Sequence, residues 1–360
     1  MNHETYHPVL TPAIPGVRLD PAVTAWKNGL LVRSPNWLGD ILMCMPAVYK
    51  MRGCLPAGAR LFVLCPQGLS PVWEAADWVD TVIPFTGKRV TGPSKKAARD
   101  LRAGVGVVMP NSFGSAWDLV AAGIPVRIGR GGRGRSLLLT HRLPCWRRGP
   151  GLADKHHVNH YLELAAVFGD ITWDAAFPPL AIPGHEAVAA DFGVTGGNWL
   201  AVLPGAAYGP AKQWPVEHYR AVAEWWEKRG GRIVTLGTQG DMESAAAIVA
   251  GLNGAVNLAG KTNLRQLMAI LQAVDGAVAN DSGGMHLAAA LGTSGVGVFG
   301  STDPIATGPL GAPWIIARES CDCSPCFERL CPRADDLYTC LEKVSPESVI
   351  ADCQRILATL

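Results

Sequence analysis

From Gly29 onward the chain alternates two apolar patterns. Short runs rich in branched residues, "GLLVRS" at 29–34, "ARLFVLC" at 59–65, "DTVIPF" at 80–85 and "VGVVMP" at 105–110, have the length and composition of buried strands. Between them "GDILMCMPAVYKMRGC", "LSPVWEAADWV" and "SKKAARDLRA" carry apolar residues at helical spacing. A Pro-rich stretch, "PPLAIPG" at 178–184, interrupts the theme, which restarts with strands "NWLAVLPG", "RIVTLGT", "DGAVAND" and "GVGVFG". Helical segments "HYRAVAEWWEKRG", "DMESAAAIVAGL", "LRQLMAILQAV" and "MHLAAALG" separate those strands. Strands that alternate with crossover helices predict parallel, doubly wound sheets. The pattern therefore predicts an irregular leader over 1–28, one α/β domain over 29–180, a second over 185–345, and a final helix over 346–360.

In open parallel sheets, ligands collect where the chain leaves the carboxyl end of a strand. Four such loops carry polar chemistry. In "RSPNWLGD" Asp40 opens a helix, and reads either as its N-cap or as a carboxylate that accepts a proton from a substrate hydroxyl. In "LPGAAYGPAKQWP" Gly205 and Gly209 let backbone approach a ligand, and Lys212 can neutralise phosphate. In "TLGTQGDME" Asp241 is placed to hold ribose hydroxyls or simply to start the next helix. In "VANDSGGMHLAAALG" a carboxylate, a hydroxyl, two glycines and His286 fill the seam between two buried elements. The free N–H groups of such a helix start bind anions, and Ser282 adds a donor. A carboxylate repels phosphate, so Asp281 reads as orienting the loop or meeting a hydroxyl or amino group. The plain alternative makes Asp281 or Ser282 a cap and His286 a packed first-turn residue.

Composition narrows the function classes. With 48% hydrophobic and 17% charged residues the 360-residue chain can bury real cores. No run reaches the roughly 18 apolar residues of a spanning helix. The first twenty residues lack the apolar core of a signal segment, so a cytoplasmic protein is expected. The net charge of +2 conceals an asymmetry: residues 1–190 hold 20 Lys and Arg against 13 Asp and Glu, and the remainder 12 against 17. The excess peaks in "RIGRGGRGRSLLLTHRLPCWRR", where Arg127, Arg130, Arg133, Arg135, Arg142, Arg147 and Arg148 have no acid among them. This block suits a polyanion such as phosphate or anionic lipid, or else is a solvated loop.

Two motifs mislead. "GAVNLAGKT" spaces its glycines by five residues where a phosphate-binding Walker loop has four. "GRGGRG" fits a dinucleotide fingerprint only formally. There is no Asp-x-Asp to place a metal on a diphosphate.

Taken together, "SPNWLGD", "PNSFGSA", "AGIPVRIG", "LPGAAYGPAKQWP", "NLAGKTNLRQL" and "NDSGGMHLAAALG" resemble, in order, the motifs of the ADP-heptose:lipopolysaccharide heptosyltransferases, glycosyltransferase family 9, in particular its branch that adds the second inner-core heptose. The resemblance spans nearly the whole chain from Gly29. It implies the GT-B fold, two Rossmann-like domains facing across a cleft, with the acceptor on the first and the nucleotide sugar on the second. It implies that Asp40 is the catalytic base. It gives Lys212, Asp241, Asp281, Ser282, Gly283 and His286 to the nucleotide sugar. Asn111, Ser112, Arg130, Arg133 and Arg135 then belong to the acceptor side.

The partners implied are ADP-heptose and heptosyl-Kdo2-lipid A, met at the cytoplasmic face of the inner membrane, with no nucleic acid and no catalytic cofactor. A family member with another donor or acceptor, or a sugar-nucleotide- or lipid-binding protein without turnover, shares many of these features. One segment departs from the best-known members: "CDCSPCFERLCPRADDLYTC". Its Cys321, Cys323, Cys326, Cys331 and Cys340 have the character of structural zinc ligands, a redox pair, or unliganded thiols.

Overall fold

Every residue of Gly29–Arg33 (β1) is buried, as a strand covered on both faces of a parallel sheet must be. A computed structural model describes residues 4–20, 24–87, 89–132, 134–145 and 155–357. The chain divides into two units, the first of residues 9–180 and the second of residues 181 onward joined by residues 4–8. In the first unit β1 is followed by α1 (Leu38–Gly53), β2 (Arg60–Pro66), α2 (Ser70–Glu74), β3 (Thr81–Phe85), α3 (Gly92–Asp100), β4 (Val105–Val108), α4 (Phe113–Ala121), β5 (Val126–Arg130), β6 (His141–Leu143) and α5 (Val158–Ala165). All its strands pair in parallel in the order β3-β2-β1-β4-β5-β6.

The second unit runs α6 (His185–Ala190), β7 (Trp199–Leu203), α7 (Val216–Lys228), β8 (Arg232–Thr235), α8 (Met242–Val249), β9 (Ala255–Asn257), α9 (Leu264–Ala273), β10 (Gly276–Asn280), α10 (Gly283–Ala290), β11 (Gly295–Val298), α11 (Pro304–Thr307), β12 (Trp314–Ala317), α12 (Thr339–Glu342) and α13 (Pro346–Leu357). Its sheet order, β12-β11-β10-β7-β8-β9, is the same order as the first when each unit is numbered from its own first strand. In both, the first strand lies beside the fourth. There the topology switches direction, and the loops leaving β1 and β4, or β7 and β10, frame a crevice.

The final helix is not a separate piece. Val349, Cys353 and Ile356 of α13 join Val222, Val296 and Ile315 in the core of the second unit. The described residues before Gly29 form no helix or extended strand, yet they are tied down. Leu19 N–H donates to Val167 at 2.8 Å, Thr11 N–H to Asn159 Oδ1 at 2.8 Å, and Tyr6 N–H to Trp314 at 2.7 Å. Strands β5, β6 and β12 carry no clear sequence signal. They are three to five residues long, and β5 holds two arginines.

The crevice of the first unit rests on a buried ion pair. Arg33, 2% exposed, ends β1, and its Nε donates to Asp118 Oδ2 of α4 at 2.8 Å. The same guanidinium donates to Asn36 Oδ1 at 3.0 Å and lies 4.5 Å from the centroid of the Phe85 ring. Burial pulls the arginine below its ordinary pKa, while the Asp118 hydrogen bond and charge oppose that shift. Removing one partner leaves the other charged in an apolar site. Asp118→Ala should therefore lower stability by about 3–5 kcal/mol, measured by urea unfolding. A loss below about 1 kcal/mol, the scale of an exposed pair, would show that this contact does not hold the β1 loop.

Candidate functional site

Short polar loops at the switch point of the first unit enclose a pocket of about 440 Å³. Asp40 lines it, with Asn36 from the β1 loop, Asn111 and Ser112 from the β4 loop, and Arg130 and Arg135 from the end of β5 and the turn after it. Asp40 is not the helix N-cap. Trp37 takes that position, so the carboxylate falls in the first turn of α1, where the helix dipole favours its charge.

Ser112 is the cap of α4, its Oγ accepting from Ser115 N–H at 3.1 Å. Asn111 Oδ1 accepts from Arg135 Nη2 at 2.6 Å. His160 and Tyr161 of α5 also line this pocket, and the sequence offered no signal for them.

Three arginines of the block, Arg127, Arg130 and Arg135, are neither solvated nor free cations. Arg130, 6% exposed, donates to Glu163 Oε2 at 2.5 Å and to the carbonyl of His160 at 2.8 Å. Arg135, 2% exposed, donates to the carbonyls of Arg130 and Pro110. Arg127 donates to those of Leu138 and Ile124, both at 2.6 Å. These side chains satisfy carbonyls that turns and strand ends would otherwise leave without donors. Arg133, Arg147 and Arg148 lie outside the described residues.

The second unit repeats the plan with opposite charge. Lys212 closes a short 3-10 turn after β7, and its Nζ is 2.5 Å from Asp281 Oδ2 at the end of β10. Asp281 is 4% exposed, and the same oxygen accepts from Thr302 Oγ1 at 2.5 Å. In this arrangement Asp281 orients the lysine. Next to it Ser282 is the N-cap of α10 without a side-chain capping bond, and Gly283 and Gly284 begin the helix.

Asn280, fully buried, staples the two loops together. Its Oδ1 accepts from Trp214 N–H at 3.0 Å, and its Nδ2 donates to the Pro204 carbonyl at 2.6 Å. The Tyr208 ring centroid lies 5.0 Å from Lys212 Nζ, and Tyr208 Oη donates to the Phe327 carbonyl at 2.6 Å. Gly209, with φ at 146°, permits this loop to press on the Arg329 carbonyl, 2.6 Å from where a β-carbon would stand. Thr302, Tyr208 and the stapling by Asn280 were not assigned from sequence.

Asp241 has a local task. Its Oδ2 accepts from Thr238 N–H and Thr238 Oγ1, both at 2.7 Å, in a capping box, and it packs against Gly205 and Gly237. A ribose contact would have to use what this cap leaves.

Residues 95–335 match the profile of glycosyltransferase family 9 (heptosyltransferase). The chain belongs to glycosyltransferase family 9. Among curated members of the family, lipopolysaccharide heptosyltransferase 2 of Salmonella typhimurium is 31% identical over 301 residues, covering 78% of this chain and 85% of that protein. The solved structure of Escherichia coli ADP-heptose lipopolysaccharide heptosyltransferase II superposes with a TM-score of 0.75 at 27% identity, over 92% of this chain and 99% of that one. A family 9 glycosyltransferase from Veillonella parvula, 18% identical, shares the fold with a TM-score of 0.78 over 95% and 100% of the two chains. The two Rossmann-like units are thus those of a GT-B glycosyltransferase of family 9.

The Cys-rich segment brings Cys340 within electrostatic reach of Cys321, Cys323, Cys326 and Cys331. Among the described residues no three His, Cys, Asp or Glu side chains converge as a metal would require. Cys321 and Cys323 lie with their sulfurs 3.6 Å apart, Cys331 Sγ accepts from Tyr338 N–H at 3.3 Å, and Cys340 is buried in the core beside Leu341. Cys323 N–H and the Cys323 thiol hold Cys321 below the ordinary thiol pKa. The segment, which includes Cys326, braces the loops after β7 and β11: Ala211 N–H donates to the Arg329 carbonyl at 3.2 Å and Phe327 N–H to that of Ser301 at 2.7 Å.

His286 is 5% exposed, and burial pushes its pKa down to about 4; Lys212 lowers it further and Asp281 opposes. The imidazole is therefore neutral at pH 7 and offers a hydrogen bond in place of a charge. Because the folded pKa lies below the unfolded value of about 6.5, its contribution to stability is complete above pH 6.5. That contribution is lost as the pH falls toward 4. The loss should reach about 3 kcal/mol, read as the difference in pH dependence between wild type and His286→Gln in urea unfolding. Identical pH profiles would mean that His286 keeps its ordinary pKa.

Proposed function

We propose that this chain is an inverting glycosyltransferase that moves L-glycero-D-manno-heptose from ADP-heptose onto the inner-core heptose of lipopolysaccharide. The observation that carries the reading is the pairing of two switch points with opposite chemistry. One holds the Asp40 carboxylate on a polar pocket, and the other holds a lysine beside an open helix N-terminus. The Salmonella typhimurium and Escherichia coli relatives are named for lipopolysaccharide and ADP-heptose chemistry, which supplies the substrate class.

Asp40 takes the proton from an acceptor hydroxyl as the oxygen attacks the anomeric carbon of the donor. The bond from that carbon to the β-phosphate oxygen breaks, and ADP leaves with one more negative charge. Lys212 and the N–H groups at the start of α10 stabilise that charge. Asp281 and Thr302 serve to aim the lysine, so binding the diphosphate needs little rearrangement. Asn111, Ser112, Arg130 and Arg135 shape the acceptor pocket; two buried arginines with carbonyl and carboxylate partners define its wall. The protein works at the cytoplasmic face of the inner membrane, touching it peripherally; among the described residues no helix is long and apolar enough to cross one.

The deciding experiment offers ADP-heptose with heptosyl-Kdo2-lipid A and follows ADP release and the mass of the lipid. Transfer only from a different nucleotide sugar would replace the donor named here, and ADP release without a heavier lipid would replace the acceptor.

Two substitutions test the mechanism. Asp40→Asn keeps the shape of the first turn and removes the base. Turnover should fall by about 10²-fold or more, with ADP affinity unchanged in calorimetry. Near-normal turnover would take Asp40 out of the reaction. Lys212→Ala should weaken ADP binding and slow transfer together, by about 2–3 kcal/mol for one charged contact. Unchanged binding and rate would leave Lys212 only its bond to Asp281.

A further inference from the structure

Arg127, Arg130 and Arg135 spend their donors on internal carbonyls and carboxylates, so these three do not serve as membrane-facing cations. What the first unit does expose, around the same pocket, is apolar. Trp37 is 74% exposed, Phe113 49%, Trp117 48% and Leu137 90%. Trp37 follows β1, Phe113 and Trp117 follow β4, and Leu137 follows β5, three strands that are neighbours in the sheet. The four residues therefore leave the same end of the sheet side by side.

Phe113 and Trp117 are four residues apart on α4 and so share a face. Helix α4 packs on the 3-10 turn Arg135–Leu138, and a β-carbon added at Gly134 would meet the Phe113 ring at 3.9 Å. Trp37, Ser112 and Arg135 all line the pocket that holds Asp40. Trp37 thus belongs to the pocket itself, and Phe113 and Leu137 lie within two residues of its lining residues Ser112 and Arg135.

We infer that Trp37, Phe113, Trp117 and Leu137 are the surface by which the first unit rests on the lipid bilayer. This rests on the proposed function. An acceptor sugar anchored in a bilayer extends only a short way from it, so the pocket that receives it must lie against the headgroups. An apolar patch beside that pocket is where contact falls. Aromatic side chains with a polar edge, such as the two tryptophans, favour the interface between headgroups and hydrocarbon. With the internally bound Arg127, Arg130 and Arg135 set aside, residues 1–190 still hold 17 Lys and Arg against 13 Asp and Glu, which complements an anionic leaflet.

The test is co-sedimentation of the full chain with vesicles of phosphatidylethanolamine and phosphatidylglycerol at about 0.15 M salt, near physiological ionic strength. Two proteins are compared with wild type: the triple variant Phe113→Ser, Trp117→Ser, Leu137→Ser, and Leu137→Ser alone. Leu137 is exposed enough that the single change leaves the fold untouched. The triple variant should lose vesicle affinity by about tenfold or more, and the single variant by about threefold, the range expected for removing part of an apolar interfacial face.

In transfer assays the triple variant should show a raised KM for acceptor embedded in vesicles and wild-type kcat/KM for the deacylated acceptor. Unchanged sedimentation of both variants overturns the inference. So does an equal loss on both acceptors, which would mean damage to the pocket, or a patch shown by ultracentrifugation to join two copies of the chain with vesicle binding unaltered. Sedimentation needs no turnover. Absence of heptose transfer by wild type would therefore sink the functional reading while the vesicle measurement still reports on the patch.

Discussion

A parallel strand that feeds its helix to one face of the sheet, next to a strand that feeds its helix to the other, leaves a gap no helix can cover. This chain contains that gap twice, at β1 beside β4 and at β7 beside β10, because each unit has the same strand order. The polar groups with chemical potential are concentrated there: Asp40, Asn111 and Ser112 at one gap, Lys212, Asp281 and the start of α10 at the other. Between the gaps lie buried, nearly continuous apolar strands, which can offer rigidity and nothing reactive. The site is thus a consequence of connection order before it is a consequence of any one side chain.

Buried ion pairs fix the loops over those gaps. Arg33 with Asp118, Arg130 with Glu163, and Lys212 with Asp281 each join a strand end to a different element. Such pairs add little net stability, since taking both charges out of water costs about as much as their attraction returns. Their value is directional, because a guanidinium or ammonium with set partners has one low-energy position. In the Lys212 pair this holds a cation ready, with Thr302 on the same carboxylate and Asn280 joining the two loops.

The central strands were legible because each is a short run with almost no polar interruption. Edge strands β6 and β12 were not, since an edge strand has one neighbour and can be very short, and neither was β5, an interior strand that carries Arg127 and Arg130. Asp40, Lys212 and Asp281 were legible as the polar residues at strand ends. Thr302, Tyr208, His160 and Tyr161 were hidden because each acts on partners far away in sequence, as Tyr208 does on Phe327 across 119 residues. Counting charge found the arginines but could not find their acceptors, which are mostly backbone carbonyls without any sequence signature. Spacing likewise records only the order of the thiols along the chain, and not that Cys340 lies in the core or that Cys331 accepts a backbone N–H.

Strand β12 pairs on one side only with β11 and would leave its other edge unsatisfied. Residues 4–8 lie along it, with Thr5 bridging Ile315 antiparallel and Tyr6 donating to Trp314. A free edge of this kind, built from Trp-Ile-Ile-Ala, is a template for pairing with another molecule. Residues 4–8 therefore act as a guard against self-association, and removing them would expose a sticky ribbon on the second unit without touching Lys212, Asp281 or the start of α10.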